Sequence, residues 1–373
     1  MTSNLKQLIH WLARPILLHW LLPYLMVMVV VGTVAQKYIG LYDSQRLFFS
    51  SFILWEGYIP LPGIRAISAL ILLSLVVKLI VASPWHKANS GIFIAHLGVL
   101  LLLLGGLVTA ALSVEGYATL GKNDHTDSFT DYHKRVLTIS KNNHDLLIIP
   151  WVDIQKNKAI TSPLLPFSFK INDACRNCTM ALREGNTPNL KGPAQKVQLV
   201  PIKHYLEDES NLAGIEFTLS NAGQDADGIY LAFEPMEKQP AFLYHGDSYH
   251  ITLGREQYHL PFTLQLLESE KEVHPGTDVP RSYRSVVMVI DGKLQQRVVI
   301  TMNHPLRYKG YTIYQSSFNA NADTQQTQNV SYAIVENSGR LFPYIASITL
   351  SIGLLIHLCL RLPNLIKRNN DAS

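Results

Sequence analysis

The sequence predicts a membrane protein of the α+β class. Four transmembrane helices are expected, with a large exported all-β domain, a sandwich or an open barrel, inserted between helices 3 and 4. Only 16% of the 373 residues are charged, against the ~25% that is usual in proteins. Residues 114–340 hold 22 basic and 25 acidic residues, so the excess positive charge lies in the rest of the chain. Because it flanks apolar segments, it indicates membrane topology and excludes a nucleic-acid-binding protein.

Four apolar segments are long enough to cross a bilayer, whose hydrocarbon core needs ~20 residues of helix. The predicted spans are residues 16–36, 66–84, 91–113 and 341–360. Only the second contains a charged residue, Lys78, which lies near its end and can extend to the interface. The first resembles a signal peptide, but its apolar run exceeds the roughly 7–15 residues of such a peptide. We therefore interpret it as a retained helix.

The orientation follows from the basic residues of the short connections. Seven Lys and Arg residues lie on the side of both termini, and three lie in the loop on the other side. The positive-inside rule then places both termini in the cytoplasm. The sequence predicts a multi-pass protein of the bacterial inner membrane, with its large domain in the periplasm. Its parts are an N-terminal membrane region (1–113), an extracytoplasmic β-rich domain (114–340), and a fourth helix with a cytoplasmic tail (341–373).

Residues 38–65, between the first two spans, contain an apolar stretch that is too short to cross the membrane. Trp55, Tyr58 and two nearby prolines are typical of an interfacial helix or a re-entrant turn at headgroup level. We interpret the segment as a connector lying on the membrane. The alternative is a platform on the outer face for an amphipathic molecule.

The exported domain is rich in short β-branched and aromatic runs. Residues 284–290 and 293–301 flank Asp291-Gly292, a dipeptide that predicts a hairpin with a type I′ turn. Lys309-Gly310 introduces another predicted strand over 311–318. Further strand-like pieces are 136–140, 146–152, 214–220 and 250–253, and the predicted loops are 186–193 and 319–328.

Histidines in predicted spans are the first candidates for chemistry, because ionisable groups inside a bilayer are rare and usually functional. His19, His96 and His357 all fall near the cytoplasmic side of their spans. A neutral imidazole there can ligate a metal or haem iron. The alternative is an interfacial histidine that is hydrogen-bonded to a neighbouring helix, which we favour for His19 and His357.

The cysteines are Cys175, Cys178 and Cys359. One Cys-x-x-Cys pair cannot form a four-ligand zinc site alone. Thr179 follows the pair, so the Cys-x-x-Cys-His haem-attachment signature is absent. A local disulfide between Cys175 and Cys178 is expected in an oxidising compartment, with a redox-active dithiol as the alternative. The sequence also lacks phosphate-loop, nucleophile-elbow, zinc-protease and dinucleotide motifs, which leaves no self-sufficient active site.

Two stretches, residues 275–285 and 302–318, closely resemble the signatures of the ResB family, also called CcsB, of system II cytochrome c biogenesis. The similarity extends to Gly32-Thr33 and Gln36, to the run beginning at His96, and to Glu115-Gly116. Four spans with the large domain between the third and fourth also match that family's architecture. The chain is on these grounds identified as similar to ResB proteins over nearly its whole length.

The resemblance implies a subunit of a membrane cytochrome c synthase. Such a subunit would assist the delivery of haem b, a transient transported substrate, to the outer face and its attachment to apocytochrome c. The implied partner is a CcsA/ResC-type polytopic subunit, and thiol-reducing periplasmic proteins are further candidates. His96 occupies the place of a family histidine that takes part in a haem site, and His357 is a weaker candidate. No catalytic residue and no metal site follow from the resemblance.

The motif residues admit two interpretations. Glycines 276 and 310 suit turns, Pro305 suits a strand edge or a bend, and the aromatic residues suit a sandwich core. Alternatively, the motifs form a surface that docks the partner subunit, where aromatic and arginine anchors are typical. The candidate surface comprises Pro275, Gly276, Arg281, Arg284, Asn303, Pro305, Arg307, Tyr308, Gly310, Tyr311, Tyr314 and Gln315.

Two other functions compete with a haem-handling subunit. One is a membrane-anchored scaffold or apocytochrome-docking domain that never contacts haem. The other is an exported hydrolase with a membrane anchor, for which the sequence contains no catalytic constellation.

Overall fold

The computed structural model describes residues 3–82, 86, 89–185, 188–277, 280–320 and 328–370. The chain divides into two compact units. A helical unit comprises residues 1–114 and 336–373, and a β unit comprises residues 115–335.

The described helices of the helical unit are α1 (Ser3–Leu12), α2 (Pro15–Ile39), α3 (Leu41–Ser44), α4 (Ile64–Val77), α5 (Ser90–Leu112) and α6 (Phe342–Asn370). Two π-helical turns, Gln45–Phe49 and Lys78–Ala82, follow α3 and α4. Among the residues that the structure describes, four segments are long and apolar enough to cross a membrane: Pro15–Ile39, Ile64–Val81, Ser90–Leu112 and Phe342–Leu362. The prediction of four such helices is confirmed, although the predicted end of the second span at residue 84 lies outside the described residues. Helix α1 was not predicted.

Helices α5 and α6 pack closely because glycines lie at their interface. A Cβ atom at Gly91 would lie 2.3 Å from the backbone nitrogen of His357, and one at Gly353 would lie 2.4 Å from that of Ala95. A Cβ atom at Gly98 would likewise lie 2.7 Å from the backbone nitrogen of Leu350. Small residues that let two backbones approach are typical of helix pairs in membranes.

The connector between α2 and α4, for which the sequence predicts an interfacial helix or a re-entrant turn, contains a short helix and a hairpin. After α3 and the π-helical turn, it forms a hairpin of β1 (Ile53–Glu56) and β2 (Ile59–Pro62). Gly57 opens the two-residue turn with φ +61°, as a type II′ turn requires. Prolines are compatible with β2 because this two-stranded hairpin leaves edge positions unpaired.

The β unit contains the remaining strands. They are β3 (Val114–Leu120), β4 (His125–Lys141), β5 (His144–Pro150), β6 (Ala159–Ile160), β7 (Ser168–Cys175), β8 (Cys178–Leu182), β9 (Val197–Pro201), β10 (Gly214–Ser220), β11 (Gly228–Phe233), β12 (Ala241–Tyr244), β13 (Asp247–Val273), β14 (Pro280–Asp291), β15 (Leu294–Thr301), β16 (Leu306–Tyr308), β17 (Tyr311–Ala320) and β18 (Gln328–Glu336). Short 3₁₀ helices occupy Trp151–Asp153, Gly192–Gln195 and Asp208–Ser210. The predicted strands all fall within or overlap these elements. Parts of the two predicted loops, 186–187 and 321–327, lie outside the described residues.

Two antiparallel sheets pack on one core in the first part of the β unit. The larger sheet has the order β15-β14-β13-β4-β3-β18-β17-β16, with β12 and β5 added beside β13 and β4. The smaller sheet has the order β11-β10-β7-β6. Their shared core includes Ile139 and Ile251 from the larger sheet and Phe169 and Phe217 from the smaller one, all essentially inaccessible to solvent. This part is a β-sandwich.

The other part of the larger sheet curls towards closure. Strand β15, at one end of the sheet, lies near β16 and β17 at the other end. The side chains of Ser285 on β14 and Tyr332 on β18 are both buried, and neither hydroxyl has a hydrogen-bond partner among the described residues. A single pair of bridged residues, Thr301 and His304, joins the two ends before Pro305. Among the described strands no further residue pairs join β15 to β16, so the barrel remains open at this edge.

The predicted hairpin between β14 and β15 is confirmed, but the turn is displaced by one residue. Asp291 pairs with Leu294, so Gly292 and Lys293 form the loop. Gly292 has φ +59° while Lys293 is not among the positive-φ residues, which is the pattern of a type II′ turn rather than the expected type I′ turn. The displacement leaves the Asp291 side chain available for contacts with the second motif.

Candidate functional site

His96 lies on α5 and is partly buried. Its Nδ1 atom is 2.7 Å from the backbone oxygen of Ile92, one helical turn earlier. Because a carbonyl oxygen can only accept, Nδ1 carries the proton of this hydrogen bond. In the neutral ring Nε2 then has a free lone pair, which is the arrangement of a histidine that ligates iron or another metal.

His357 lies on α6, and its backbone faces Gly91 of α5. Its Nδ1 atom is buried and has no hydrogen-bond partner among the described residues. The close approach of the two helices at this point explains the burial of the ring nitrogen.

His96 does not lie on the face of α5 that contacts α6 near His357. Gly91, Ala95 and Gly98 mark the stripe of α5 that contacts α6. At 3.6 residues per turn, His96 is rotated by about 140° from Gly91. It also lies five residues, or about 7.5 Å, further along the helix than the level of His357. The two imidazoles therefore do not face each other across one iron position, contrary to the similar depth expected from the sequence.

His19 is exposed on α2, and its Nδ1 atom is 3.0 Å from the backbone oxygen of Pro15. Because Pro15 also belongs to α2, the hydrogen bond lies within one helix, and the expected bond to a neighbouring helix is wrong for His19. Among the described residues, no group of three or more His, Cys, Asp or Glu side chains is arranged to hold a metal ion.

The second motif, residues 302–318, is organised around the turn between β16 and β17. Lys309 and Gly310 form this turn with φ +45° and +92°, as a type I′ turn requires. The Tyr308 hydroxyl donates to Asp291 Oδ2 at 2.8 Å, and Lys309 Nζ lies 2.5 Å from the same oxygen. The hydrogen bonds from Lys309 and Tyr308 lower the pKa of Asp291. The hairpin turn is thereby fixed to the β14–β15 turn.

The aromatic residues of this motif divide between the interior and the surface. The Tyr308 and Tyr311 rings pack edge-on against Phe262, with centroids 5.1 and 6.0 Å apart. Tyr314, in contrast, is 40% exposed. Gln315 has both amide atoms buried without a partner among the described residues. The structural interpretation thus fits Tyr308 and Tyr311, whereas Tyr314 lies on a surface.

Most of the remaining motif residues are exposed. Gly276 has φ +75° and lies in a turn closed by the Thr277 backbone N–H, which donates to the His274 oxygen at 3.0 Å. Pro275 belongs to the same turn. Arg284 forms an exposed ion pair with Glu270 at 3.2 Å. Exposed side chains at the end of β15 and along β16 and β17 include Met302, Asn303, Arg307 and Tyr314, and Arg281 is exposed at the start of β14.

Cys175 and Cys178 are joined by a disulfide, with Cα atoms 5.9 Å apart. The two residues between them hold the neighbouring loop. Asn177, which is buried, donates through Nδ2 to the Lys203 oxygen at 2.7 Å. Arg176 Nη2 lies 2.5 Å from Asp208 Oδ1. The disulfide therefore closes a small loop whose side chains fix residues 202–212.

The β unit contains a buried ionic network that was not predicted from the sequence. Arg135, whose side chain is 2% exposed, contacts Asp208 and Glu234, each at 3.1 Å. Arg255 Nε binds the second oxygen of Glu234 at 2.7 Å. The network lies where the pairing of β4 with β13 changes register. No local signal could have revealed it, because its members are distant in the sequence.

Comparisons with known proteins bear on the second half of the β unit. Residues 238–349 match the model of the ResB-like family. The chain is also similar to the protein NrfI of Wolinella succinogenes, with 28% identity over 110 residues. That alignment covers 29% of this chain but only 12% of the length of NrfI. The family match contains both motifs and ends within the first half of α6, and it does not include His96. The predicted ResB/CcsB-like resemblance is confirmed over this segment.

Proposed function

We propose, from the ResB-like character of residues 238–349, that this chain is a subunit of a membrane cytochrome c synthase. It would lie in the bacterial inner membrane with both termini in the cytoplasm and the β unit in the periplasm. It would help to deliver haem to the outer face and to attach it to apocytochrome c. The subunit is noncatalytic, because its proposed role is to bind and position haem rather than to form the thioether bonds.

His96 is the residue that would contact haem in this chain. The observation that carries the proposal is its hydrogen bond to Ile92, which leaves Nε2 as the unprotonated nitrogen. A partly buried imidazole in an apolar helix can ligate iron while remaining neutral. Haem at this site would be held more firmly if a second residue also ligated its iron, so we include a second ligand in the proposal.

That second ligand would come from another chain. His357 faces the α5–α6 contact rather than the His96 face of α5. A CcsA/ResC-type polytopic partner would therefore supply the opposing ligand, and the haem site would form between the two proteins. His357 keeps a role in helix packing under this proposal.

The exposed part of the second motif would dock a partner. Met302, Arg307 and Tyr314 are exposed where the two ends of the open barrel meet. Aromatic, arginine and methionine side chains are enriched in protein interfaces. This surface also supports the second candidate function, a scaffold that binds the partner or apocytochrome c without contacting haem. Thiol-reducing periplasmic proteins would act on the apocytochrome before attachment.

Expression with and without the partner subunit separates the two functions. Each sample would be purified from membranes, and its haem absorbance and its ability to mature a c-type cytochrome reporter would be measured. A haem-handling subunit gives haem absorbance that depends on His96. If the reporter cytochrome matures but the haem content of the purified complex is the same with and without this chain, the chain is a scaffold.

A further inference from the structure

A cavity of ≈ 790 Å³ lies within the helical unit, between α4, α5 and the connector that follows α2. Its size is in the range of pockets that hold small-molecule ligands and cofactors. The residues that line it are Gln36, Gln45, Phe49, Ser50, Phe52, Ile64, Arg65, Ser68, Ala69, Leu72, Leu102, Leu103, Gly106, Leu107, Ala110 and Ala111. With the predicted topology, it opens near the outer face of the membrane.

The connector is held in place by close contacts that glycine permits. A Cβ atom at Gly32 of α2 would lie 2.8 Å from the Phe49 ring, so only glycine lets the π-helical turn pack there. Ser44 Oγ donates to the Gly32 oxygen at 2.5 Å, which fixes the same approach. At Gly63 a Cβ atom would lie 2.3 Å from the Ser51 oxygen. These contacts fix the connector in place, and it forms one wall of the cavity.

The lining is chemically asymmetric. Most of it is aliphatic or aromatic, and Arg65 is its one charged side chain, with no acidic residue among the lining residues that the structure describes. Gln36 and Gln45 add amide groups. An apolar cavity with one cation and two amides complements a flat or elongated apolar molecule that carries a carboxylate.

The cavity and His96 lie on the same face of α5. Leu103, Leu107 and Ala110 line the cavity, and at 3.6 residues per turn they are rotated by only about 20–40° from His96. Leu103 is two turns, or about 10 Å, from His96 along the helix. One helix face thus connects the candidate haem ligand with the cavity.

We propose that this cavity is the outward receiving site for haem, with Arg65 binding a propionate of the tetrapyrrole. The inference rests on the proposed function and deepens it. His96 binds the iron towards the cytoplasmic side, and the same face of α5 leads the macrocycle to the cavity. None of the described lining residues is a His, Cys, Met or Tyr that could ligate iron. Haem is therefore held there only by its apolar surface and its carboxylates, as suits a cargo that must leave.

Metal-free protoporphyrin IX tests this site separately from His96, because it has the same carboxylates and ring but no iron to ligate. The full chain would be purified in detergent, and binding would be measured by porphyrin fluorescence. We expect binding to survive His96→Ala. Arg65→Gln should weaken it by at least about tenfold, the loss of one charge-assisted hydrogen bond. Porphyrin dimethyl ester should bind more weakly to the native chain and be insensitive to Arg65→Gln.

A cavity-filling variant provides the second arm. A Cβ atom at Gly106 would meet nothing within 4 Å, so Gly106→Leu can fill the cavity without a backbone clash. Leu112→Trp adds bulk at an exposed position of the same helix and serves as the control. Gly106→Leu should weaken porphyrin binding at least as much as Arg65→Gln, while Leu112→Trp should not.

The outcomes separate the two proposals. If porphyrin binding is unchanged in Arg65→Gln and Gly106→Leu, the cavity is not a haem site, whatever His96 does. If the variants instead lose a co-purified anionic phospholipid, detected by mass spectrometry, and porphyrin does not displace it, the cavity is a lipid site and the inference is wrong. If the cavity variants weaken porphyrin binding but His96→Ala leaves haem content unchanged, the cavity site stands and the role of His96 fails.

Discussion

Replacing Asp208 with asparagine should destabilise the β unit by about 3 kcal/mol. The Asp208 side chain is 3% exposed and lies 3.1 Å from His133 Nδ1, 3.1 Å from Arg135 Nη1 and 2.5 Å from Arg176 Nη2. Asparagine preserves the shape but leaves Arg135 and Arg176 with less compensating charge. Breaking a buried ion pair costs ~3–5 kcal/mol. The lower end of this range applies because Arg135 still pairs with Glu234 and still donates a hydrogen bond to the Asn211 oxygen.

The assay is chemical denaturation of the full chain in detergent, followed by Trp151 fluorescence. Trp151 packs against the sandwich core, and the other four tryptophans can be replaced by phenylalanine to isolate its signal. A loss of ~3 kcal/mol changes the unfolding equilibrium constant roughly a hundredfold. Asp127→Asn, at an exposed position, is the matched control. If Asp208→Asn costs no more than Asp127→Asn, the network does not stabilise the fold and the reasoning is refuted.

The contribution of Asp208 to the stability of the β unit should depend on pH. Burial would raise the pKa of Asp208, but the hydrogen bond from His133 and the charges of Arg135 and Arg176 outweigh it and hold the pKa well below its usual range. Its contribution is therefore fully present above the unfolded pKa of ~3.9 and is lost as the pH falls towards the folded pKa. The difference in stability between the native chain and Asp208→Asn should narrow below about pH 4.

Three further substitutions test local geometry. Gly310→Val should cost about 1–3 kcal/mol because a β-branched residue is strained at φ +92°, and an unchanged denaturation midpoint would contradict this. Cys175→Ser/Cys178→Ser should cost at most ~2 kcal/mol, since the closed loop is short, while cytochrome maturation remains active. A folded but inactive double variant would indicate redox chemistry instead. Gly91→Leu should separate α5 from α6, because its side chain would meet the His357 backbone. Its detergent unfolding temperature should fall below that of Gly106→Ala, whose Cβ would meet nothing within 4 Å, and equal values would refute the packing argument.

Patterns that are local in the sequence predicted the structure well. The four apolar helices could be predicted because a bilayer-spanning helix needs a continuous apolar run. The β14–β15 hairpin could be predicted from Asp291-Gly292, yet its turn is Gly292-Lys293. Either pair satisfies the glycine requirement, and the cross-strand register decides between them. The contacts of Asp291 with Tyr308 and Lys309 are consistent with the observed register.

Features that depend on distant residues could not be predicted. The connector hairpin β1–β2 contains prolines that normally argue against strands, and the π-helical turn before it packs against Gly32, which is distant in the sequence. The Arg135–Asp208–Glu234 network joins three separate elements. For His96 and His357, sequence position gave an approximate depth but not the face of each helix, which follows from the glycines at the α5–α6 contact.

The haem spectrum of His96→Ala tests directly whether His96 contacts haem. The native chain and the variant would be co-expressed with a CcsA/ResC-type partner, purified as the complex, and compared for haem absorbance per mole of protein. His19→Ala is the matched control, since His19 makes the same type of hydrogen bond within its helix. We expect His96→Ala to lose haem absorbance and cytochrome maturation. Added imidazole should partly restore maturation, and His19→Ala should behave like the native chain. Equal haem content and maturation in His96→Ala and the native complex would contradict it.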